Sequence, residues 1–207
     1  MLDIGIGGGR TTRFIAPSFR AYVGVDYASR MVSASKKRFS KFQNASFLAC
    51  DAKSFPFPSG TFDYMIFSFN GIDSTTDENR REILSEIRRI TKDDGTFVFS
   101  SHSLDWLIAQ FSLRSLSLNS FYELLPRAVI NLIFRSRIRS LMKTPYLQLR
   151  DSLTTYYVRK DVQVAQLLHM EFRNISIVTR RGFLPSNSPE AENLAKTNGF
   201  LYYVCRP

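Results

Sequence analysis

The sequence predicts an α/β fold: a doubly wound, mostly parallel sheet of seven strands with helices on both faces. Three observations predict it. Strand and helix signals alternate in five steps through the first hundred residues. Strand segments such as Phe62–Phe69 are apolar on both faces, as in a sheet covered on both sides. Hydrophobic residues make up 44% of the 207-residue chain and charged residues 22%, which suits one packed domain spanning residues 1–207.

The elements follow in order. Leu2–Ile4 reads as a strand, followed by the turn Gly5-Ile6-Gly7-Gly8-Gly9. So short a first strand predicts a chain that starts inside it, an N-terminally truncated start. A helix from Arg10 to Ala16 stops before Pro17. Ala21–Val25 is a second strand with Asp26 at its end, and a helix runs from Ser29 to Phe42. Ser46–Cys50 is a third strand ending at Asp51. The loop Ser54–Thr61, with Pro56, Pro58 and Gly60, leads into the fourth strand, Phe62–Phe69. Thr75 and Glu78 have the spacing of a capping box, and Ile83, Leu84, Ile87 and Ile90 repeat at helical spacing behind them. Asp93-Asp94-Gly95 reads as a turn and Thr96–Ser100 as a fifth strand.

The alternation breaks at Ser103. Leu104–Arg150 shows no strand signal and reads as a helical insertion carrying seven basic residues against two acidic ones. Within it, Val129, Ile130, Ile133, Phe134 and Leu141 share one side of a helix and Arg135, Arg139 and Lys143 the other. Such a segment can be a lid over an acceptor, a contact for an anionic membrane surface, or a solvated basic face. The pattern then resumes with a helix capped by Asp161 and carrying Val164, Leu167 and Leu168. Asn174–Thr179 and Phe200–Cys205 are the last two strands, with Gly182–Gly199 a polar loop between them.

Gross composition excludes several classes. No apolar run approaches the ~20 residues that span a bilayer, and MLDIGIGGGR lacks the architecture of a secretory signal. Cys50 and Cys205 make no disulfide framework and no metal-ligand spacing, so two buried thiols in a cytoplasmic protein are expected. A net charge of +10 admits nucleic acid, an anionic membrane surface or an anionic substrate and selects none.

The chemistry concentrates in Asp3-Ile4-Gly5-Ile6-Gly7-Gly8-Gly9. Glycines after a strand let the backbone turn tightly and approach a ligand closely. The dinucleotide fingerprint wants a third glycine at position 10, which is Arg10, so that motif fails. Asp26, 23 residues after Asp3, ends the second strand, where a carboxylate can accept from both ribose hydroxyls. Asp51-Ala52 ends the third strand, and Phe62-Asp63 opens the fourth after a Pro- and Gly-containing loop.

Taken together, Asp3, the glycines, Asp26, Asp51 and Phe62-Asp63 resemble the class I S-adenosylmethionine-dependent methyltransferase family over residues 2–103. That resemblance implies a Rossmann-like methyltransferase sheet whose last strand is inserted antiparallel, and S-adenosyl-L-methionine as cofactor. It implies that Asp3, Gly5, Gly7 and Gly9 form the motif at the methionine part. Asp26 would hold the ribose and Asp51 with Ala52 the adenine, with Tyr27 and Met31 sandwiching the adenosine. Phe69 and Asn70 would line the reactive end. The expected acceptor is a small molecule or a glycan or lipid-linked precursor. Nucleic acid is the disfavoured alternative, because neither an aromatic basic platform nor an Asn-Pro-Pro-Tyr-like motif is present. A non-catalytic cofactor-binding scaffold is the other. His102, just past the fifth strand, is either a general base or a hydrogen-bonded structural histidine. Tyr156 and Tyr157 either line the acceptor pocket or pack in the core.

Overall fold

A computed structural model describes residues 1–110, 143–150, 154–179 and 182–207. Its centre is a sheet in the order β3-β2-β1-β4-β5-β10-β8-β9. The strands are β1 (Leu2–Ile4), β2 (Tyr22–Asp26), β3 (Ala45–Ala49), β4 (Phe62–Phe67), β5 (Thr91–Ser103), β8 (Arg173–Thr179), β9 (Gly182–Pro185) and β10 (Phe200–Arg206). From β3 to β5 all pairings are parallel, and β10 lies antiparallel between β5 and β8. The expected doubly wound sheet with its antiparallel last strand is therefore present, with ten strands among the described residues where seven were expected.

The helices are α1 (Thr12–Ile15), α2 (Ser29–Arg38), α3 (Asp77–Ile90), α4 (Leu104–Gln110), α5 (Lys160–His169) and α6 (Pro189–Thr197). The larger core joins Leu2, Ile4 and Phe97 to Ile83, Leu84 and Ile87 of α3, Leu167 of α5 and Ala191 of α6. A separate cluster joins Ile6, Ala16 and Tyr22 to Val32, Phe39 and Phe47. Burying apolar stripes on these helices is what holds them to the sheet, at roughly 25 cal/mol per Å² of apolar surface.

Several boundaries differ from the sequence reading. The N-cap of α3 is Thr76, whose side chain accepts from Asn79 N at 3.2 Å. Thr75 lies one residue before the cap, and its hydroxyl donates back to Ile72 O at 2.9 Å. Arg159 occupies the N-cap position of α5 without a side-chain cap, and Asp161 lies inside the first turn. β5 begins at Thr91 directly after α3, and Asp93-Asp94-Gly95 is an irregularity within it, where pairing jumps from Phe62↔Thr91 to Tyr64↔Thr96. The segment 182–199 is not a loop. It holds β9 and α6, the latter capped by Ser188, which accepts from Ala191 N at 3.2 Å with Pro189 in the first turn.

The largest correction concerns the insertion. Leu104–Gln110 is helical, as expected, but Tyr146–Arg150 is a strand, β6, in a hairpin with β7 (Thr154–Val158). β7 pairs parallel with the end of β5 at His102↔Tyr157 and Ser103↔Val158. β4 has already ended at Phe67↔Phe99, so the hairpin occupies the place beside β5 that β4 vacates. Asp105 of α4 accepts from Lys160 N at 2.9 Å, tying the start of the insertion to the start of α5. Residues 111–142, which include Arg135 and Arg139 and most of the expected helical lid, lie outside the described residues. Among the described residues no helix is long and apolar enough to cross a membrane.

Candidate functional site

The parallel strands bring the sequence-predicted residues to one edge of the sheet. Asp3, Asp26 and Asp51 sit at the carboxyl ends of β1, β2 and β3, and Asn70 and His102 at those of β4 and β5. Open α/β sheets bind ligands along this edge.

The glycine loop is shaped for close approach. Gly5, Gly7 and Gly9 all have positive φ, at 68°, 52° and 78°. Gly5 N and Ile6 N both donate to Val25 O, at 2.8 and 3.2 Å, which folds the loop over the end of β2. A Cβ at Gly5 would lie 2.9 Å from Phe67 Cε2, and one at Gly9 2.2 Å from Phe39 Cε2. At Gly7 a Cβ would meet nothing within 4 Å, so this glycine faces open space.

Asp26 ties the loop to β2. Its Oδ2 accepts from Gly7 N at 2.8 Å and its Oδ1 from Ala28 N at 2.9 Å. Each oxygen keeps a further lone pair for another donor. Beside it, Tyr27 is 86% exposed and Met31 47% exposed, two large apolar surfaces with little protein against them. Cys50 N donates to Asp26 O at 3.1 Å, which sets Asp51 and Ala52 on the neighbouring strand end. Asp51 is exposed and accepts from Lys53 N at 2.9 Å. Ala52 packs against the larger core.

Asp3 differs from these. It is fully buried, and its Oδ2 accepts from Thr11 Oγ1 at 2.6 Å and Tyr22 OH at 2.7 Å. Burial raises its pKa above the ordinary carboxylate value, against the two hydrogen bonds that lower it. Asp3 thus braces the start of α1 against β2. Its Oδ1 is buried with no partner.

At the other end of the edge, Phe69 and Asn70 both adopt left-handed backbone, with φ of 54° and 55°. Consecutive non-glycine residues in this region store strain of about 1–3 kcal/mol each. Asn70 is held there by its N–H, which donates to Ser100 Oγ at 2.8 Å. Phe69 is 56% exposed, with the Arg10 guanidinium 4.4 Å from its ring centroid. Asn70 Nδ2 lies 3.1 Å from His102 Nε2, while Asn70 Oδ1 is buried without a partner. The Phe67 side chain meets the Cβ positions of both Gly5 and Gly71, so the glycine loop and the Asn70 turn close on the same ring.

Behind His102 is a charged cluster that the sequence reading missed. His102 Nδ1 lies 2.9 Å from Asp73 Oδ2, and His102 N donates to the same oxygen at 2.6 Å. Asp73 Oδ1 accepts from Ser101 Oγ at 2.9 Å and pairs with Arg80, both side chains being buried. Arg80 also donates to Ser101 Oγ at 3.0 Å and to Gln163 Oε1, and its guanidinium lies 4.9 Å from the Tyr156 ring centroid. The available signal was Arg80 itself, a charge on the apolar stripe of Ile83, Leu84 and Ile87. Tyr156 is fully buried and donates to Asp77 Oδ1 at 2.5 Å, so it is a core residue. Tyr157 stands beside the site, its ring 5.0 Å from that of His102.

The site's unsatisfied groups are suited to a ligand. Two buried acceptor oxygens lack donors, a glycine faces open space, and two exposed apolar side chains flank a carboxylate.

Residues 1–95 match the family model described as a methyltransferase domain. The chain is 26% identical over 159 residues to a demethylmenaquinone methyltransferase of Tropheryma whipplei, covering 76% of this chain and 59% of that relative. It therefore spans little more than half the length of such a curated relative. Among solved structures, an S-adenosylmethionine-dependent methyltransferase from Mesorhizobium loti superposes with a TM-score of 0.63 at 14% identity, over 100% of this chain and 90% of that one. The DhpI–SAH complex superposes with a TM-score of 0.59 at 12% identity, over 100% of this chain and 75% of that one. At such identities the superpositions carry the fold.

Proposed function

We propose that this chain is a class I methyltransferase that binds S-adenosyl-L-methionine along this edge and transfers its methyl group to a small-molecule acceptor, a reading supported by the match of residues 1–95 to the methyltransferase-domain model. The observation that carries the reading is the loop Gly5–Gly9 held to Asp26 at 2.8 Å, with the Gly7 face open. Gly5, Gly7 and Gly9 allow the methionine part to approach the backbone, and Asp3 Oδ1 and Asn70 Oδ1 offer acceptors to its ammonium. Asp26 accepts from the ribose hydroxyls. Tyr27 and Met31 cover the adenosine, and Asp51 with the backbone of Ala52 reads the adenine edge. The bound cofactor supplies an activated methyl on a sulfonium. The chain's own contribution is alignment of the acceptor with that methyl, which can supply much of the rate. His102 receives the acceptor's proton. The relative named for demethylmenaquinone supports a small-molecule acceptor over nucleic acid.

Methyl-labelled S-adenosylmethionine offered with metabolite, glycan, lipid and RNA pools tests the reading. Label is expected in the small-molecule fraction. Label confined to RNA would overturn the acceptor class. Cofactor binding without transfer to any pool would overturn the enzymatic reading in favour of a scaffold.

A further inference from the structure

We infer that Asp73 and Arg80 are positioning residues that hold His102 with its Nε2 lone pair beside the Asn70 amide, making a slot that selects a hydroxyl-bearing acceptor. The inference rests on the methyl-transfer reading above.

The hydrogen bonds fix the arrangement one after another. Asp73 spends Oδ1 on Arg80 and Ser101, and its Oδ2 faces His102 Nδ1 at 2.9 Å. A carboxylate only accepts, so in the neutral imidazole Nδ1 carries the proton and Nε2 is the bare acceptor. Asn70 must then present its NH₂ to Nε2, at 3.1 Å, which leaves Oδ1 without a partner, as observed. The Asn70 backbone cannot turn away, because its N–H is bound to Ser100 Oγ at 2.8 Å.

One donor, Asn70 Nδ2, and one acceptor, His102 Nε2, therefore stand side by side and satisfy each other. A group that enters between them must accept from the first and donate to the second. A hydroxyl oxygen does both from a single atom. A C–H acceptor does neither, and an amine protonated at neutral pH brings only donors until it has lost a proton. Tyr157 walls the site 5.0 Å from the imidazole ring, and β7 beside β5 places that wall. In the step, the acceptor O–H gives its proton to Nε2 and its oxygen bonds to the methyl carbon. The carbon–sulfur bond breaks with its electron pair left on sulfur. The imidazolium is stabilised by Asp73 Oδ2 and returns its proton to water from a side chain that is 28% exposed.

Nitrogen-15 NMR tests this directly, because the chain has two histidines and His169→Gln assigns them. Neutral His102 is expected as the Nδ1–H tautomer. Phenol should shift Nε2, and anisole, the same ring without the proton, should not. An Nε2–H tautomer, or equal responses to phenol and anisole, would overturn the inference whether or not the chain transfers methyl groups. Calorimetry with S-adenosylhomocysteine reports on the methyl-transfer reading separately. Asp73→Asn should mix the tautomers and lower kcat for a hydroxyl acceptor by about 10²–10⁴-fold, with KM and S-adenosylhomocysteine affinity within about threefold and a changed pH–rate profile. If that variant folds poorly, the wild-type tautomer still decides. Labelled-methyl transfer to amines or carbon acids but to no hydroxyl would also overturn it.

Discussion

Arg80→Met is expected to destabilise the fold by about 3–5 kcal/mol, because it leaves the buried Asp73 carboxylate without its counter-charge. Both side chains of the pair are almost wholly buried, at 0% and 1% exposure, so water cannot replace the lost guanidinium. Ser101 and His102 still donate to Asp73, but neither neutralises it. Gln163 Oε1 loses its donor as well. For a domain of this size each kcal/mol corresponds to roughly 2–4 °C, so thermal unfolding should show a drop of about 6–20 °C. Arg81→Met, one residue along, is the control. Its pair with Asp77 is half exposed, at 53% on the arginine side, and exposed pairs are worth about 1 kcal/mol or less. A loss for Arg80→Met no larger than that of Arg81→Met would show that the buried cluster does not support the fold.

Gly9→Ala and Gly7→Ala are expected to fail in opposite ways. Both glycines have left-handed backbone, so each alanine carries a conformational cost of about 1–2 kcal/mol. At Gly9 the new methyl would also lie 2.2 Å from Phe39 Cε2 and 2.9 Å from Cζ. Phe39 is buried and packed against Phe42 and Phe47, so the methyl must displace a ring already in contact with two others. Overpacking adds about 1–3 kcal/mol, for a total near 2–5 kcal/mol in denaturant unfolding. At Gly7 the methyl meets no protein atom, so only the backbone cost applies. There it projects into the space assigned to the cofactor, and S-adenosylhomocysteine affinity should fall at least about tenfold. Equal stability losses in the two variants, with binding intact in Gly7→Ala, would contradict the geometry of the loop.

The parallel half of the fold was legible because its signals are local. Leu2–Ile4, Asp26 and Asp51 mark strand ends by sequence alone, and the α/β alternation follows from them. The antiparallel half was less so. Tyr146–Arg150 and Thr154–Val158 carry alternating apolar residues, but a segment rich in arginine and lysine draws the reading to helices. α6 had its signal in Ser188 followed by Pro189, a cap and a first-turn proline, yet the polarity of the segment read as a loop. The tight glycine loop at the end of β1 was readable from glycine spacing. The Asp73–Arg80 pair was not, because Gln163, Ser101 and His102 reach it from elements remote in sequence, and no local pattern records such a meeting. Asp3 shows a further limit. The sequence placed it at the cofactor, and the structure places its Oδ2 on Thr11 and Tyr22, leaving Oδ1 for any ligand.

Isothermal titration of the wild type and Asp26→Ala with S-adenosylhomocysteine and with NAD tests the central claim most directly. Asp26 joins the glycine loop to β2 and holds free lone pairs for a ribose, so its loss removes a charged acceptor. The account predicts that the wild type binds S-adenosylhomocysteine and not NAD, and that Asp26→Ala weakens binding by about 1–3 kcal/mol, roughly 5- to 150-fold. Tight NAD binding, or S-adenosylhomocysteine affinity unchanged by Asp26→Ala, would contradict it.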